Sequence, residues 1–257
     1  MIAAIRLLAM LAGLLRLMVR GLLTVRRFDR LDAAQRADEV RAWSQAALRV
    51  CRIELRVDGP PPGAACLLAI NHVSWLDIVA LNAAAPTRFV SKSDVDRWPL
   101  VGALARGAGT LFIERSRPRD AMRVMHDMTR CLRDGQQVSV FPEGTTSAGD
   151  RILPLHANLF QAAVSASVPV QPVLLRYLDA DRATPSTAPA YVGDDSMLLT
   201  LWRMARASRL CVSVAYLTPI HGAERRALAR AVQDTLQLAL SSAVPATATP
   251  AALAAAR

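Results

Sequence analysis

His72 and Asp77 lie five positions apart in Asn71-His-Val-Ser-Trp-Leu-Asp77, and together they have the makings of a proton-transfer pair. A carboxylate can accept from one imidazole nitrogen and fix the tautomer, which leaves the other nitrogen free to take a proton from a hydroxyl. On a regular α-helix, residues five apart are rotated by roughly 140° and do not face each other. The pair can meet only if His72 lies in a turn and Asp77 in the first turn of the helix that follows. The flanking residues allow this. Cys66–Ile70 is a short apolar run that reads as a buried strand, and the apolar run after Asp77 is suited to open a helix. Ser74-x-x-Asp77 is also a capping-box pattern, so the same residues admit a purely structural role.

Three further stretches carry site-like residues. Gly109-Thr-Leu-Phe-Ile-Glu-Arg115 delivers an arginine to a strand end, where a guanidinium can meet a phosphate. Phe141-Pro-Glu-Gly-Thr145 ends a strand in a turn with an acid, a glycine and a hydroxyl. A glycine there lets backbone N–H groups approach a ligand oxygen. Val168-Pro-Val-Gln-Pro-Val173 is the third. Each alone reads as an ordinary strand terminus.

In this order and at these separations the blocks closely resemble the bacterial glycerolipid acyltransferase family, typified by 1-acyl-sn-glycerol-3-phosphate acyltransferase. The N-H-x-S-x-x-D and F-P-E-G-T blocks are specific as a pair, and the resemblance covers about residues 60–180. It implies transfer of a fatty acyl chain from an acyl thioester, carried on coenzyme A or acyl carrier protein, to the free hydroxyl of a lysolipid, with no bound cofactor. It makes His72 the general base and Asp77 its orienting partner. It assigns Arg115, Glu143, Gly144 and Thr145 to the acceptor site, with Arg115 toward a phosphate. Lys92 and the Trp98–Gly102 run also fit the family pattern. Two departures bear on the acceptor. Thr146 stands where many phosphate-handling members carry arginine, and Leu153–Phe160 is closer to the branch that acylates lyso-ornithine lipids. Lysophosphatidate is the expected acceptor and lyso-ornithine lipid the alternative. A hydrolase using the same dyad, and a non-catalytic lipid-binding protein, are the readings from other classes.

Other chemistries lack their motifs. The sequence has no G-x-S-x-G elbow, and Gly102-x-x-x-x-Gly107 continues Ala108-Gly109 instead of Lys-Ser/Thr. His126, His156 and His221 have no metal-ligand spacing, so no metal is expected. Cys51, Cys66, Cys131 and Cys211 are scattered without C-x-x-C spacing and read as buried free thiols of a reducing compartment. The 257 residues carry a net charge of +10, with Lys92 the only lysine. Such a charge suits anionic lipid or an acidic carrier protein. With few aromatics and no nucleic-acid motif, nucleic acid is not an expected partner.

The elements that must hold these residues follow an α/β rhythm: a mostly parallel or mixed central sheet flanked by helices, preceded by an N-terminal amphipathic helical pair. Hydrophobic content of 53% exceeds the usual ~45–50%, which leaves apolar surface for lipid. In residues 1–28 the longest charge-free run, Leu7–Leu15, is short of the ~20 residues of a membrane span. Arg6, Gly13, Arg16, Arg20 and Arg27 fall within an arc of roughly 80°. That pattern predicts a helix lying in the headgroup plane of an anionic bilayer, and a protein held peripherally on the cytoplasmic face of the bacterial inner membrane. The alternative is a helix docked on the protein's own core. The expected division is 1–52 for the membrane-interface helices, 53–240 for the α/β acyltransferase domain and 241–257 for a low-complexity tail. Strands are expected at 52–57, 66–70, 88–91, 110–114, 137–141, 170–177 and 210–217, and helices at 31–51, 98–106, 120–133, 158–167, 197–207 and 223–240. Pro172 marks its strand as an edge, a bulge or a strand start. Residues 179–195, rich in Asp, Pro, Ser and Thr, predict a surface excursion.

Overall fold

Runs of three to ten residues become strands, and the segments between them supply the helices. The computed structural model describes residues 1–98, 100–113 and 118–242. α1 (Ile2–Val25) and α2 (Ala33–Val50) precede β1 (Ile53–Asp58) and β2 (Cys66–Ile70). Then come α3 (Leu76–Ala84), β3 (Arg88–Lys92), the single-turn α4 (Ser93–Asp96), α5 (Val101–Gly107) and β4 (Leu111–Ile113). α6 (Pro118–Arg133), β5 (Gln137–Val140), α7 (Gln161–Ala166) and β6 (Val170–Asp179) follow. α8 (Met197–Arg206), β7 (Leu210–Tyr216) and α9 (Arg225–Ser242) complete the order. Asp32 starts α2 with a full capping box: its carboxylate accepts from Gln35 N at 2.9 Å, and Gln35 Oε1 accepts from Asp32 N at 3.0 Å.

The strands form one mixed sheet in the order β1-β7-β6-β2-β5-β3-β4. β6, β2, β5, β3 and β4 run parallel to one another, whereas β7 is antiparallel to β6 and carries β1 parallel to itself. Alternate residues of each strand feed two cores, as the period of two requires. Leu68 and Ile70 of β2 pack with Leu175 and Tyr177 of β6 in a core shared with α1, α2, α3 and α8. Leu67 and Ala69 pack on the opposite face with α6, α7 and α9. Helices therefore cover both faces, as the sequence predicts.

Pro172 does not mark an edge: β6 lies inside the sheet, between β7 and β2. It sits one step beyond the Val173–Tyr216 pair that begins the β6–β7 ladder. Leu217 N donates to Pro172 O at 3.0 Å, and proline has no N–H to return. Gln171 Nε2 supplies that missing donor to Leu217 O at 3.0 Å.

α1 is docked on the core and exposed at once. It buries Met10, Leu17 and Gly21. Trp43 Nε1 donates to Leu17 O at 2.8 Å, and Arg6 donates to Ala207 O at 3.1 Å. A Cβ on Gly13 would lie 2.7 Å from Val50 Cγ1, so this glycine permits the close approach of α2. Arg6 and Gly13 thus face the protein, while Arg16, Arg20 and Arg27 are exposed, which divides the expected arginine arc. Ile5, Leu8, Leu15, Val19 and Leu23 form an exposed apolar stripe. At 24 residues and a mean hydropathy of 2.1, α1 is long and apolar enough to cross a membrane by length and composition.

Smaller differences have local causes. The helix expected over 158–167 is split into a 3-10 turn, Ala157–Phe160, and α7, which Ser167 ends in the left-handed region at φ 57°. The helix expected over 98–106 is observed as Val101–Gly107, and its Pro99 lies outside the described residues. Residues 243–257, which hold most of the expected tail, also lie outside them.

Candidate active site

β2 and β5 are adjacent and parallel, so Asn71-His72 and Phe141-Pro142-Glu143 emerge side by side at one end of the sheet. Strand C-terminal ends are where open α/β sheets place their chemistry. Asn71 ties its turn to β6: Nδ2 donates to Leu175 O at 2.9 Å, and Leu175 N donates to Oδ1 at 2.7 Å. A side chain thereby continues the β2–β6 ladder where the backbone leaves the sheet.

His72 Nδ1 lies 2.8 Å from Asp77 Oδ2, and the histidine side chain is 21% exposed while Asp77 is fully buried. Oδ2 also accepts from Val73 N at 2.7 Å and Ser74 N at 3.0 Å. Tyr177 Oη donates to Oδ1 at 2.9 Å. A buried anion needs such donors to offset its desolvation. Ser74 Oγ accepts from Leu76 N at 3.3 Å, so the structural role of Ser74 and Asp77 at the start of α3 and the contact with His72 coexist. The imidazole stacks on Phe141, with ring centroids 4.0 Å apart. With an anionic oxygen at Nδ1, the proton sits on Nδ1 and Nε2 carries a lone pair. Among the described residues nothing bonds Nε2.

The loop after β5 clamps the backbone of His72 from both sides. His72 N donates to Glu143 Oε1 at 3.0 Å, and Ser147 N donates to His72 O at 2.8 Å. The other Glu143 oxygen accepts from Leu153 N at 3.2 Å. Both oxygens of this buried acid are therefore occupied by backbone, which makes it a brace behind the dyad. Burial pushes its carboxyl up to about 7, against the lowering effect of the two N–H donors. Gly144 takes φ +73° with its N–H on Phe141 O at 3.1 Å, a left-handed turn that favours glycine. Thr145 is exposed at the tip.

The other expected site residues are distributed as follows. Lys92 is exposed at the end of β3. Arg115 lies outside the described residues, beyond β4, which runs parallel to β3. Val168-Pro-Val170 is not at the site. Pro169 O accepts from Leu67 N at 3.1 Å, at the start of β2 and the opposite end of the sheet from His72. That block starts β6, whose far end supplies Leu175 and Tyr177 to the site.

Two contributors carry no motif. Tyr177 belongs to an apolar strand and reads locally as core. Burial raises its phenol well above the usual tyrosine value, with the Asp77 charge adding to the effect, so it remains a donor. The second is the 179–195 segment, which is less of a surface excursion than its composition predicts. Ala190 is buried, Tyr191 N donates to Val73 O at 2.9 Å, and Thr146 Oγ1 donates to Tyr191 O. Acid-rich composition gave no sign of that return. Among the described residues no group of three or more His, Cys, Asp or Glu side chains is placed to hold a metal ion. The four cysteines are free and buried.

The family model described as Acyltransferase matches residues 52–176, from just before β1 into β6. The lyso-ornithine lipid O-acyltransferase of Pseudomonas aeruginosa is 38% identical over 247 residues, covering 93% of this chain and 95% of that protein. The chain belongs to the acyltransferase family. A second relative of this acyltransferase, the 1-acyl-sn-glycerol-3-phosphate acyltransferase of Neisseria gonorrhoeae, is 36% identical over 201 residues, 76% of this chain and 78% of that one. The crystal structure of the 1-acyl-sn-glycerophosphate acyltransferase PlsC from Thermotoga maritima superimposes with a TM-score of 0.70. It covers 93% of this chain and 95% of its own at 18% identity, which establishes the shared fold.

Proposed function

We propose that this acyltransferase moves a fatty acyl chain from an acyl thioester to the free hydroxyl of a lysolipid, in membrane lipid synthesis, with His72 as general base. The carrying observation is the 2.8 Å contact of the partly exposed His72, through Nδ1, with a buried Asp77, which leaves Nε2 with a lone pair. Nε2 takes the hydroxyl proton as the oxygen attacks the thioester carbonyl. The C–S bond of the tetrahedral intermediate then breaks, and the departing thiolate recovers the proton from the imidazolium. Asp77 holds the ring and stabilises its transient charge. Glu143 and Ser147 hold the His72 backbone. The donor is carried on coenzyme A or acyl carrier protein, and no bound cofactor enters the scheme.

The enzyme would act from the bilayer surface, peripheral on the cytoplasmic face, with α1 and α2 as the interface and residues 53–240 as the catalytic domain. The exposed stripe of α1 beside Arg16 and Arg20 supports this, because an interfacial helix needs an apolar face bordered by cations. One face of α1 is held to the folded body from Arg6 to Val25, which favours an in-plane helix over a span.

Lysophosphatidate is the first acceptor reading, supported by the family match at Arg115 and the +10 charge. Lyso-ornithine lipid is the second. It is favoured by Thr146 and by the Pseudomonas relative, whose similarity covers 93% of the chain. The purified enzyme should be offered an acyl thioester with each lysolipid in identical detergent, and the diacyl product read by mass spectrometry. Thioester hydrolysis with no acylated lipid from either acceptor would favour the hydrolase instead.

A further inference from the structure

α8 carries a second exposed apolar ridge, and we propose that this ridge docks on an anionic bilayer beside α1, seating the strap that leads into the active site at the membrane surface. The inference rests on the interfacial reading of α1. α8 buries Thr200, Leu201, Met204 and Ala205 and leaves Leu198, Leu199 and Trp202 in solvent. Leu198, Trp202 and Arg206 are spaced by four, so they form one row along the helix. That row runs toward α1. Arg206 lines an open cleft with Met1, Ile2, Ala3 and Arg6, and Arg6 donates to Ala207 O at 3.1 Å.

The ridge therefore ends beside the N-terminal turn of α1, where Met1 and Ile2 are exposed, and no described segment covers either helix there. A row of leucine and tryptophan closed by arginine has the chemistry of a headgroup boundary: aliphatic groups below it, an indole at it and a cation toward phosphate. Arg206 and Arg209 are exposed beside the ridge, as an anionic surface requires. An acidic protein would answer the arginines but leave Leu198 and Trp202 unexplained.

The connection to the dyad is short and runs through hydrogen bonds. Arg203 on α8 donates to Ala190 O at 2.8 Å and pairs with Asp195, so the helix fixes the strap that precedes it. The strap's Tyr191 N in turn holds Val73 O, next to His72. An amphiphilic acceptor must present its hydroxyl to His72 while its chain stays in the bilayer. A helix resting at the interface one strap away meets that need.

The four native cysteines are buried, so a thiol introduced on the surface can be labelled selectively. Three full-length variants, Leu198→Cys on α8, Leu15→Cys on α1 and Leu238→Cys on the opposite layer, would carry an environment-sensitive fluorophore. Each is mixed with vesicles of phosphatidylcholine and phosphatidylglycerol. The labels at 198 and 15 should shift to the blue and brighten, and the label at 238 should not change. A shift at 15 with an aqueous spectrum at 198 overturns the ridge and leaves α1 docking intact. Aqueous spectra at both overturn the α1 reading, and this inference with it. A shift at 198 on adding an acidic carrier protein without vesicles, and none with vesicles, would assign the ridge to a protein partner instead.

Discussion

Tyr177 Oη lies 2.9 Å from Asp77 Oδ1, and so divides the two oxygens of that carboxylate between β6 and the His72 turn. Oδ2 is held by His72 Nδ1 and two backbone N–H groups, and Oδ1 by the phenol. Tyr177→Phe would leave a fully buried carboxylate oxygen without this donor, at a cost of about 1–3 kcal/mol in stability. Tyr177 touches no exposed surface where substrate could bind, so kcat should fall while the KM for acceptor stays level. An increase in KM with kcat preserved would place Tyr177 in the binding surface instead.

Removing the base should be far more severe. His72→Ala should lower transfer by ~10²–10⁴ with the fold retained, because the side chain leaves a turn and not the core. Asp77→Asn should approach that loss, although its burial means part of the effect will be lost stability. Circular dichroism melts separate the two for each variant. A folded His72→Ala protein that transfers at the wild-type rate is incompatible with the general-base assignment.

What could be read in the sequence was mostly local. The strand at Cys66–Ile70, the turn at His72 and the helix after Ser74 follow from burial pattern, spacing and capping residues. Tyr177 was hidden because its strand looks uniformly apolar, and only the sheet order places β6 beside β2. Pro172 misled for a related reason: the Gln171 side chain supplies the bond that proline cannot, and no local pattern encodes that replacement. Arg6 and Gly13 sit on the same arc as Arg16 and Arg20, yet packing against α8 and α2 separates them. The block at Val168–Val170 begins a site strand, and its motif character conceals that the chemistry lies at the other end.

Glu143 predicts a pH dependence of stability. Its folded carboxyl holds a proton up to about 7, against 4.5 as the ordinary value. Between those limits the folded state binds more protons than the unfolded one, so stability falls as pH rises through this window and is level above it. Glu143→Gln does not titrate. Relative to that variant, the wild type should lose on the order of 3 kcal/mol between the two limits. Denaturant melts at several pH values measure this difference. Curves that stay parallel would mean that Glu143 is ionised throughout.

Transfer should also survive chelation. The proposed step needs only a hydroxyl, a thioester and the His72–Asp77 pair, so assays with and without a strong chelator should give the same rate. Activity lost on chelation and restored by one divalent ion would require a different mechanism.

The last prediction concerns the orientation of α1. Arg6 holds one end of the helix to α8, and Val25 packs within reach of Gly107 at the other. Trp43 anchors the middle. If those contacts persist on the membrane, both ends of α1 must stay on the side that holds the body of the protein. Thiols introduced as Ile2→Cys and Arg27→Cys, both exposed and on the arginine side of the helix, should then react equally with a membrane-impermeant maleimide added outside sealed vesicles. Raising the salt concentration should release part of the bound protein, because Arg16 and Arg20 act on the anionic surface through screened charge. The apolar stripe should keep the remainder bound, since burial of Leu8, Leu15 and Leu23 does not depend on ionic strength. A thiol at one end that reacts only after detergent would show that α1 crosses the bilayer, and the contacts at Arg6, Trp43 and Gly107 would then have to open on insertion.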